Sequence, residues 1–497
     1  MDITRRSFLA AASAGVAMSL RSTPAAAQTG RMLLKGGCVL SLDPKVGDFD
    51  TADVLIEKGL IAAVRPNISA DAQVIDAANM IVMPGFVDTH RHMWQGAVRN
   101  SLPNGLLNDY VREILGSVRS AMRPEDVRIG DLVSALGAIN AGVTTVLDWS
   151  HIGNSPAHTD AAIQGLRESG IRAVYAFGGG AGGPQNRYPD DIRRLRKQHF
   201  SSSDQLLTLA MASGMTAAEW AVAREVQAPI SVHASGSLAG LEKVLGPDVT
   251  YIHCNTFTEQ AWKMVADSGG HVSISCPIEM EMGHGIPPIQ AALDHKLAPS
   301  VSVDVETQMP GDLFTQMRAV FTLQRMQALA RQRANDKAAP ALLTVRDVIG
   351  FATITGARAN HLDGKIGTLT PGATVVDIGC GAGMDLMLAA SGVGPAGHAI
   401  GIDMTEAMAE RARASGRALG FTHVEVRAGD ALDVPVESES VDFVISNGVL
   451  NLAPDKRQAF GEVFRILKLG GQFLYGDIIV ASELSESIRR DIDLWTG

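Results

Sequence analysis

The chain has 497 residues, 46% hydrophobic and 19% charged, the profile of two or three packed domains rather than of a disordered or fibrous protein. Asp plus Glu (53) outnumber Lys plus Arg (43), the formal net charge is -10 and aromatics are only 5%, so nucleic acid is not an expected partner. The four cysteines Cys38, Cys254, Cys276 and Cys380 form no CxxC pair, which argues against a disulfide framework and a thiolate zinc site.

At the N-terminus, Arg5 and Arg6 precede an apolar run from Phe8 to Leu20 and then Ala25-Ala26-Ala27. A basic segment, a short apolar segment and small residues predict a twin-arginine signal peptide over residues 1–27 and periplasmic export. The apolar run falls short of the about 20 residues that span a membrane, and no membrane span is expected in the rest of the chain.

Residues 31–84 carry short β-rich runs (MLLKGGCVLSL, DVLIEKGLIAAV, QVIDAANMIVM) broken by turn formers, a small sheet module. From residue 85 to 362 strands alternate with segments long enough for helices. The predicted strands are one ending near His90, then Thr144–Leu147, Ala173–Phe177, Leu206–Ala210, Ile230–His233, Thr250–His253, His271–Ser275 and Ser300–Asp304. Eight such units predict a (β/α)8 barrel.

Polar residues gather at the strand ends. His90 and His92 in PGFVDTHRH are two residues apart, a spacing that shares one strand face, while His233, His253 and Asp304 each close a later strand. Neutral imidazoles suit zinc or iron, and a carboxylate completes such a donor set and can accept a proton from water. Barrel enzymes build their active sites at these strand ends.

The phrases PGFVDTHRH, GVTTVLDW, YIHCN and PSVSVDVET resemble the metal-dependent amidohydrolase superfamily, near its cytosine deaminase and chlorohydrolase-like branch. The resemblance covers about residues 31–372. It implies His90, His92, His233 and Asp304 as ligands of a divalent metal (zinc or iron), Asp304 also as base, and His253 as the group that polarises a small-molecule substrate. The implied reaction is metal-assisted attack of water on a C–N or C–Cl carbon, here of a small cyclic amide or amidine. The branch usually places a glutamate three residues after the third histidine, where this chain has Gly236. Glu279, Glu281 and His284 in CPIEMEMGHG are the candidates for proton delivery, and His151 is a further residue near the pocket. The resemblance also implies a β-sandwich completed by a return strand segment; here residues 363–372 supply only its start, so a partial sandwich is expected. Oligomers are common in this superfamily, and no residue here specifies one.

At residue 373 the pattern restarts with TVVDIG and a glycine-rich turn holding Asp377, Gly379, Gly381 and Gly383. Such a turn lets backbone approach a ligand at a helix N-terminus. Asp403, twenty residues after Gly383, closes the next predicted strand, where a ribose diol is held in nucleotide folds. Asp430 and Asp442 are expected to begin later strands. GIDMTEAMAERARA and ISNGVLNLAPDKRQAF resemble class I methyltransferases, nearest the arsenite methyltransferases. The resemblance implies a Rossmann-like domain, C-terminally truncated, over residues 373–497. It further implies S-adenosylmethionine cradled by the three glycines, with Asp403 at the ribose, Asp430 beside the adenine and Asn447 at the transfer site. The cysteine expected within ISNGV is replaced by Gly448, so arsenite methylation is not expected.

The leading expectation is an α/β chain with an amidohydrolase barrel followed by a methyltransferase domain. One competing reading keeps only methyl transfer, in the cytoplasm and with an inert barrel. Others are a joined gene fragment and a binding protein without turnover.

Overall fold

The computed structural model describes residues 31–202, 205–393 and 397–477; the expected signal peptide and residues 478–497 lie outside them. Two units divide the chain: Met83–Leu369 with Ser41–Lys45, and a second unit from the residues up to Leu40, Val46–Val82 and those from Thr370 onward.

In the second unit, β1 (Met32–Val39), β2 (Phe49–Glu57), β3 (Leu60–Arg65), β4 (Gln73–Asp76) and β5 (Ile81–Val82) form one sheet. A two-residue hairpin turn joins β2 to β3 through Lys58 and Gly59, both at positive φ, as a type I′ turn requires. Residues 363–372 add no strand to this sheet; the contact there is Gly372 N–H donating to Ile61 O. Val74, Met80 and Ile81 are consequently exposed.

The first unit is the barrel. Its strands are β6 (Phe86–Arg91), β7 (Val143–Gly153), β8 (Arg172–Gly179), β9 (Leu207–Ser213), β10 (Ile230–Ala234), β11 (Val249–His253), β12 (His271–Ile274) and β13 (Ser300–Val301). They pair in sequence order, all parallel. An isolated bridge between Arg91 and Asp304, three residues beyond β13, joins the end of the series to the first strand. There Asp304 N–H donates to His90 O and His92 N–H donates to Asp304 O, both at 2.9 Å.

The period-2 alternation of the strands separates two apolar layers. Leu147, Val174, Ala176, Ala210, Ala212 and Ile252 pack together as one cluster, whereas Val146, Tyr175, Phe177, Met211, Val232 and Tyr251 belong to the larger core that includes the helices. Burying each large side chain is worth about 1.5–3 kcal/mol. A buried polar strut reinforces the closure: Arg91 Nε donates to Asp88 at 2.8 Å, its guanidinium donates to Gly311 O, and Glu306 lies 3.6 Å away.

Three local features differ from the sequence reading. The segment after β10 contains no helix, because Gly236 and Gly240 take left-handed backbone and Gly246-Pro247 interrupts the remainder. The second strand continues beyond Asp148 to Gly153, placing His151 within it. The last strand stops at Val301, since Asp304 sits at φ 68°, which extended pairing cannot accommodate.

From Thr370 onward, β14 (Thr374–Ile378), β15 (His398–Asp403), β16 (Val424–Ala428), β17 (Val441–Asn447) and β18 (Leu467–Gly476) form a parallel sheet in the order β16-β15-β14-β17-β18. The strand order reverses at β14, which opens a crevice at the C-terminal strand ends. Asp430 follows β16 rather than beginning a strand, because its Oδ1 caps the turn at Leu432 N–H. Asp442 is the second residue of β17.

Candidate metal centre

The barrel brings His90, His92, His233, His253 and Asp304 together. His90 is the penultimate residue of the wholly buried strand β6, and His92 is the N-cap of the 3-10 turn that follows it. His233 lies in β10, and His253 is the last residue of β11. His253 and Asp304 have φ of 69° and 68°. Non-glycine residues held there cost on the order of 1–3 kcal/mol each, and such strain concentrates at functional sites.

The donor atoms are closely spaced. His90 Nε2 lies 3.1 Å from Asp304 Oδ1 and 3.2 Å from His233 Nε2, and His92 Nε2 lies 3.3 Å from the same carboxylate oxygen. Two sets of three donors, His90/His92/His233 and His90/His253/Asp304, each fall within 4.8 Å. Ligands at about 2.0–2.1 Å from a tetrahedral ion are separated by roughly 3.3–3.4 Å, so the edges of this cluster match one cation. His92 Nδ1 faces Trp149 O at 2.8 Å, which makes it the donor there and turns Nε2 towards the cluster.

Burial holds His90 neutral, lowering its pKa to about 3, and holds His233 and His151 well below the usual range. Burial alone would raise the Asp304 carboxyl; the imidazoles crowded against it, His90 and His92 first and then His253, outweigh it and hold the group well below its ordinary value. Neutral imidazoles around an ionised carboxylate are the protonation state that binds a cation. At His253 burial opposes the charged form, but Glu279 and Asp304 outweigh it and raise the pKa.

A cavity of about 650 Å³ opens over the cluster, lined by His92, Trp149, His233, His253, His284 and Asp304 among others. His151 also lines it, with its ring stacked on His92 at 4.0 Å between centroids. Of the three residues read as proton donors, His284 reaches the cavity, its ring edge-on to His253 at 4.9 Å. Glu279 does not line the cavity: it is fully buried, with Oε1 3.0 Å from His253 Nδ1 and accepting from Ser275 N–H. Glu281 is exposed and away from the lining. Gly236 is half-buried, its N–H donating to Thr256 Oγ1.

Two charged lining residues escaped the sequence reading, Arg119 and Glu219. Glu219 Oε2 accepts from Tyr188 OH, Ser213 Oγ and Gly214 N–H at 2.6–2.7 Å. Both occupy helical sequence whose charges look like ordinary solvated surface, so no local signal marks them.

In the second unit, Gly379, Gly381 and Gly383 all have positive φ. A Cβ at Gly379 would meet Val449 at 2.2 Å, and one at Gly383 would meet Ala412 backbone at 3.1 Å, so close packing demands both glycines. At Gly381 the space is open. Gly381 N–H donates to Asp403 Oδ2 at 2.9 Å, and Thr405 N–H to Oδ1 at 2.8 Å. Burial and the neighbouring Asp385 push the Asp377 carboxyl up to about 7, and its Oδ2 has no partner. Asn447 lines a separate cavity of about 490 Å³ with Asp385, Ser446 and Tyr475. The other six residues expected at the cofactor do not line that cavity.

A closed parallel barrel carrying histidines and an aspartate at its strand ends has the layout of a barrel hydrolase. Residues 81–374 match the amidohydrolase family, and the chain belongs to that family. Residues 369–496 match a methyltransferase domain, which follows the amidohydrolase domain. Over 357 residues the chain is 26% identical to the 5'-deoxyadenosine deaminase of Methanosarcina barkeri, covering 66% of this chain and 79% of that protein. Over 129 residues it is 43% identical to the arsenite methyltransferase of Halobacterium salinarum, 26% of this chain and 33% of that protein. The chain thus spans about a third of the length of that relative. Among solved structures, a zinc-bound adenosine deaminase from Xanthomonas campestris shares the fold with TM-score 0.57 at 19% identity, covering 68% of this chain and 82% of the other. The zinc complex of an atrazine chlorohydrolase from Arthrobacter aurescens does so with TM-score 0.57 at 21% identity, covering 68% and 84%.

Proposed function

We propose that the barrel is a metal-dependent hydrolase acting on non-peptide C–N bonds of a small, cyclic amide or amidine. The observation that carries this reading is the convergence of His233 Nε2 and Asp304 Oδ1 on His90 Nε2, at 3.2 and 3.1 Å, more buried donor atoms than one imidazole N–H can satisfy. Burying such groups together is costly unless a cation takes their lone pairs. His90, His92, His233 and Asp304 would hold one divalent ion, zinc or iron, which when bound supplies Lewis-acid activation of water. Asp304 Oδ2, 3.7 Å from His253 Nε2, accepts the proton of the attacking water. His253, oriented by Glu279, donates from Nε2 to the substrate atom where negative charge develops. His284, whose pKa burial lowers, relays to the leaving nitrogen the proton that Asp304 has taken up, in the place of the glutamate absent at Gly236. The test is metal content and amidine hydrolysis of the His90→Ala variant, expected to lose both; full-rate hydrolysis by that variant rejects the reading.

For the second unit we propose S-adenosylmethionine binding at the C-terminal strand ends. Asp403, with its carboxylate fixed by two backbone N–H groups, would hold the ribose, and Asp377, Gly379, Gly381, Gly383, Asp430 and Asn447 would surround the rest. The cofactor would supply a transferable methyl group, and calorimetry with S-adenosylmethionine tests the assignment. We also propose twin-arginine export. Among the described residues no helix is long and apolar enough to cross a membrane. An immunoblot of fractionated cells, with one antibody for each half, tests export and whether both halves travel as one chain.

A further inference from the structure

The segment Leu107–Ala121 forms a wall of the catalytic cavity. Its central part, Val111–Val118, is wound as a π-helix, and Arg119 N–H closes it by donating to Ile114 O. In this wider winding a spacing of four residues keeps side chains nearly in line, and Val111, Leu115 and Arg119 all line the cavity. Short π-helical turns occur frequently at functional sites.

Arg119 differs from the arginines on either side of it. Arg112 pairs with Asp109 and Glu113, and Arg123 with Asp126, all within 2.8 Å. Arg119 is half-buried, and among the described residues no carboxylate lies within ion-pairing distance of it. Its Nε donates to Leu115 O at 3.1 Å, and among the described residues neither terminal guanidinium nitrogen donates to a protein acceptor. Burial lowers its pKa, an unfavourable environment for an unpaired cation. The guanidinium is near enough to His151 for its charge to oppose protonation there, and His151 stacks on His92 of the donor cluster. The cavity therefore presents a fixed cation with a free two-pronged face beside the proposed reaction centre. A planar carboxylate is the group that such a fork fits.

We propose that Arg119 is a specificity-determining residue that holds a carboxylate of the substrate, so that the C–N bond hydrolysed belongs to a small anionic compound. The substrate class rests on the hydrolase reading; the anion site itself does not. Benzoate and its neutral isostere benzamide are the probes, titrated calorimetrically into the full chain as isolated and again after chelation. The expected result is at least tenfold tighter binding of benzoate in both states, loss of that preference in Arg119→Gln and partial retention in Arg119→Lys. Equal binding of the two probes by the chelated wild-type protein overturns the proposal, as does an Arg119→Gln variant that keeps the preference. The wild-type comparison decides the matter even if the glutamine variant does not fold. Metal content, measured on the same samples, separates the two readings: an Arg119-dependent preference in a protein that never holds metal sinks the hydrolase and leaves the anion site standing.

Discussion

Glu279 Oε1 lies 3.0 Å from Nδ1 of His253, and the carboxylate that makes this contact is wholly sealed from solvent. The pair sets which nitrogen of His253 faces the cavity and keeps the ring cationic more readily than burial alone would allow. In Glu279→Gln the side-chain amide retains the shape but loses the charge. We expect hydrolysis to fall about 10–100-fold with metal content unchanged. Loss of metal together with activity would instead make Glu279 part of the scaffold of the ion.

Chelation should abolish hydrolysis, and zinc or iron(II) should restore it. The same treatment should lower the melting temperature of the barrel, because an ion bound only by the folded state at 1,000 times its Kd adds about 4 kcal/mol. Asp304→Asn should bind metal more weakly and lose turnover. A chelated protein with unchanged melting and unchanged activity would leave the cluster without a metal role.

Asp131 and Asp148 form a second buried acidic pair, and both oxygens of Asp131 lack partners. Burial raises both carboxyls, Asp131 further by the neighbouring charge, and Asp148 reaches about 7. Because the folded-state values lie above the unfolded ones, the pair favours the folded state least where the unfolded chain has ionised. Stability should therefore decline from about pH 4 towards pH 7 as the unfolded chain sheds protons that the folded state retains. Asp131→Asn should flatten this decline and gain about 1–2 kcal/mol at pH 8. Parallel melting-versus-pH curves for the two proteins would contradict that account.

Gly379→Ala should destabilise the methyltransferase domain by about 1–3 kcal/mol, since the new Cβ falls 2.2 Å from Val449 at a positive φ. The matching change at Gly381, where nothing crowds the Cβ, should cost only the left-handed backbone strain of about 1–2 kcal/mol, which Gly379→Ala bears in addition to its clash. Circular dichroism melts of both variants give the comparison, and equal losses would mean that backbone strain alone decides.

The barrel strands were legible because each is an apolar run, several of them reaching a polar residue near the C-terminal end, so period and burial pointed to the same segments. The donor cluster was legible for the same reason, as His233 and His253 sit on strand ends that the core dictates. What the sequence concealed depends on backbone detail. The left-handed turn at Asp304 shortens β13, and Gly236, Gly240 and Gly246-Pro247 erase the helix expected after β10. Glu279 read as a candidate for proton delivery, yet the short helix Cys276–Glu281 turns it onto His253 Nδ1 and away from the cavity. Arg119 and Glu219 reach the cavity only through tertiary placement, which no local pattern encodes.

Asp304 exchanges two backbone hydrogen bonds with the segment carrying His90 and His92, across a sequence separation of 214 residues from His90. Bringing ends that far apart together costs on the order of 5 kcal/mol in chain entropy by the logarithmic scaling of loop closure. The carboxylate donor thus arrives in the same event that zips the circle of strands shut. A nascent chain still short of Asp304 presents three or four imidazoles without the carboxylate, so on the proposed metal reading capture of the ion would mark the end of barrel assembly rather than its beginning.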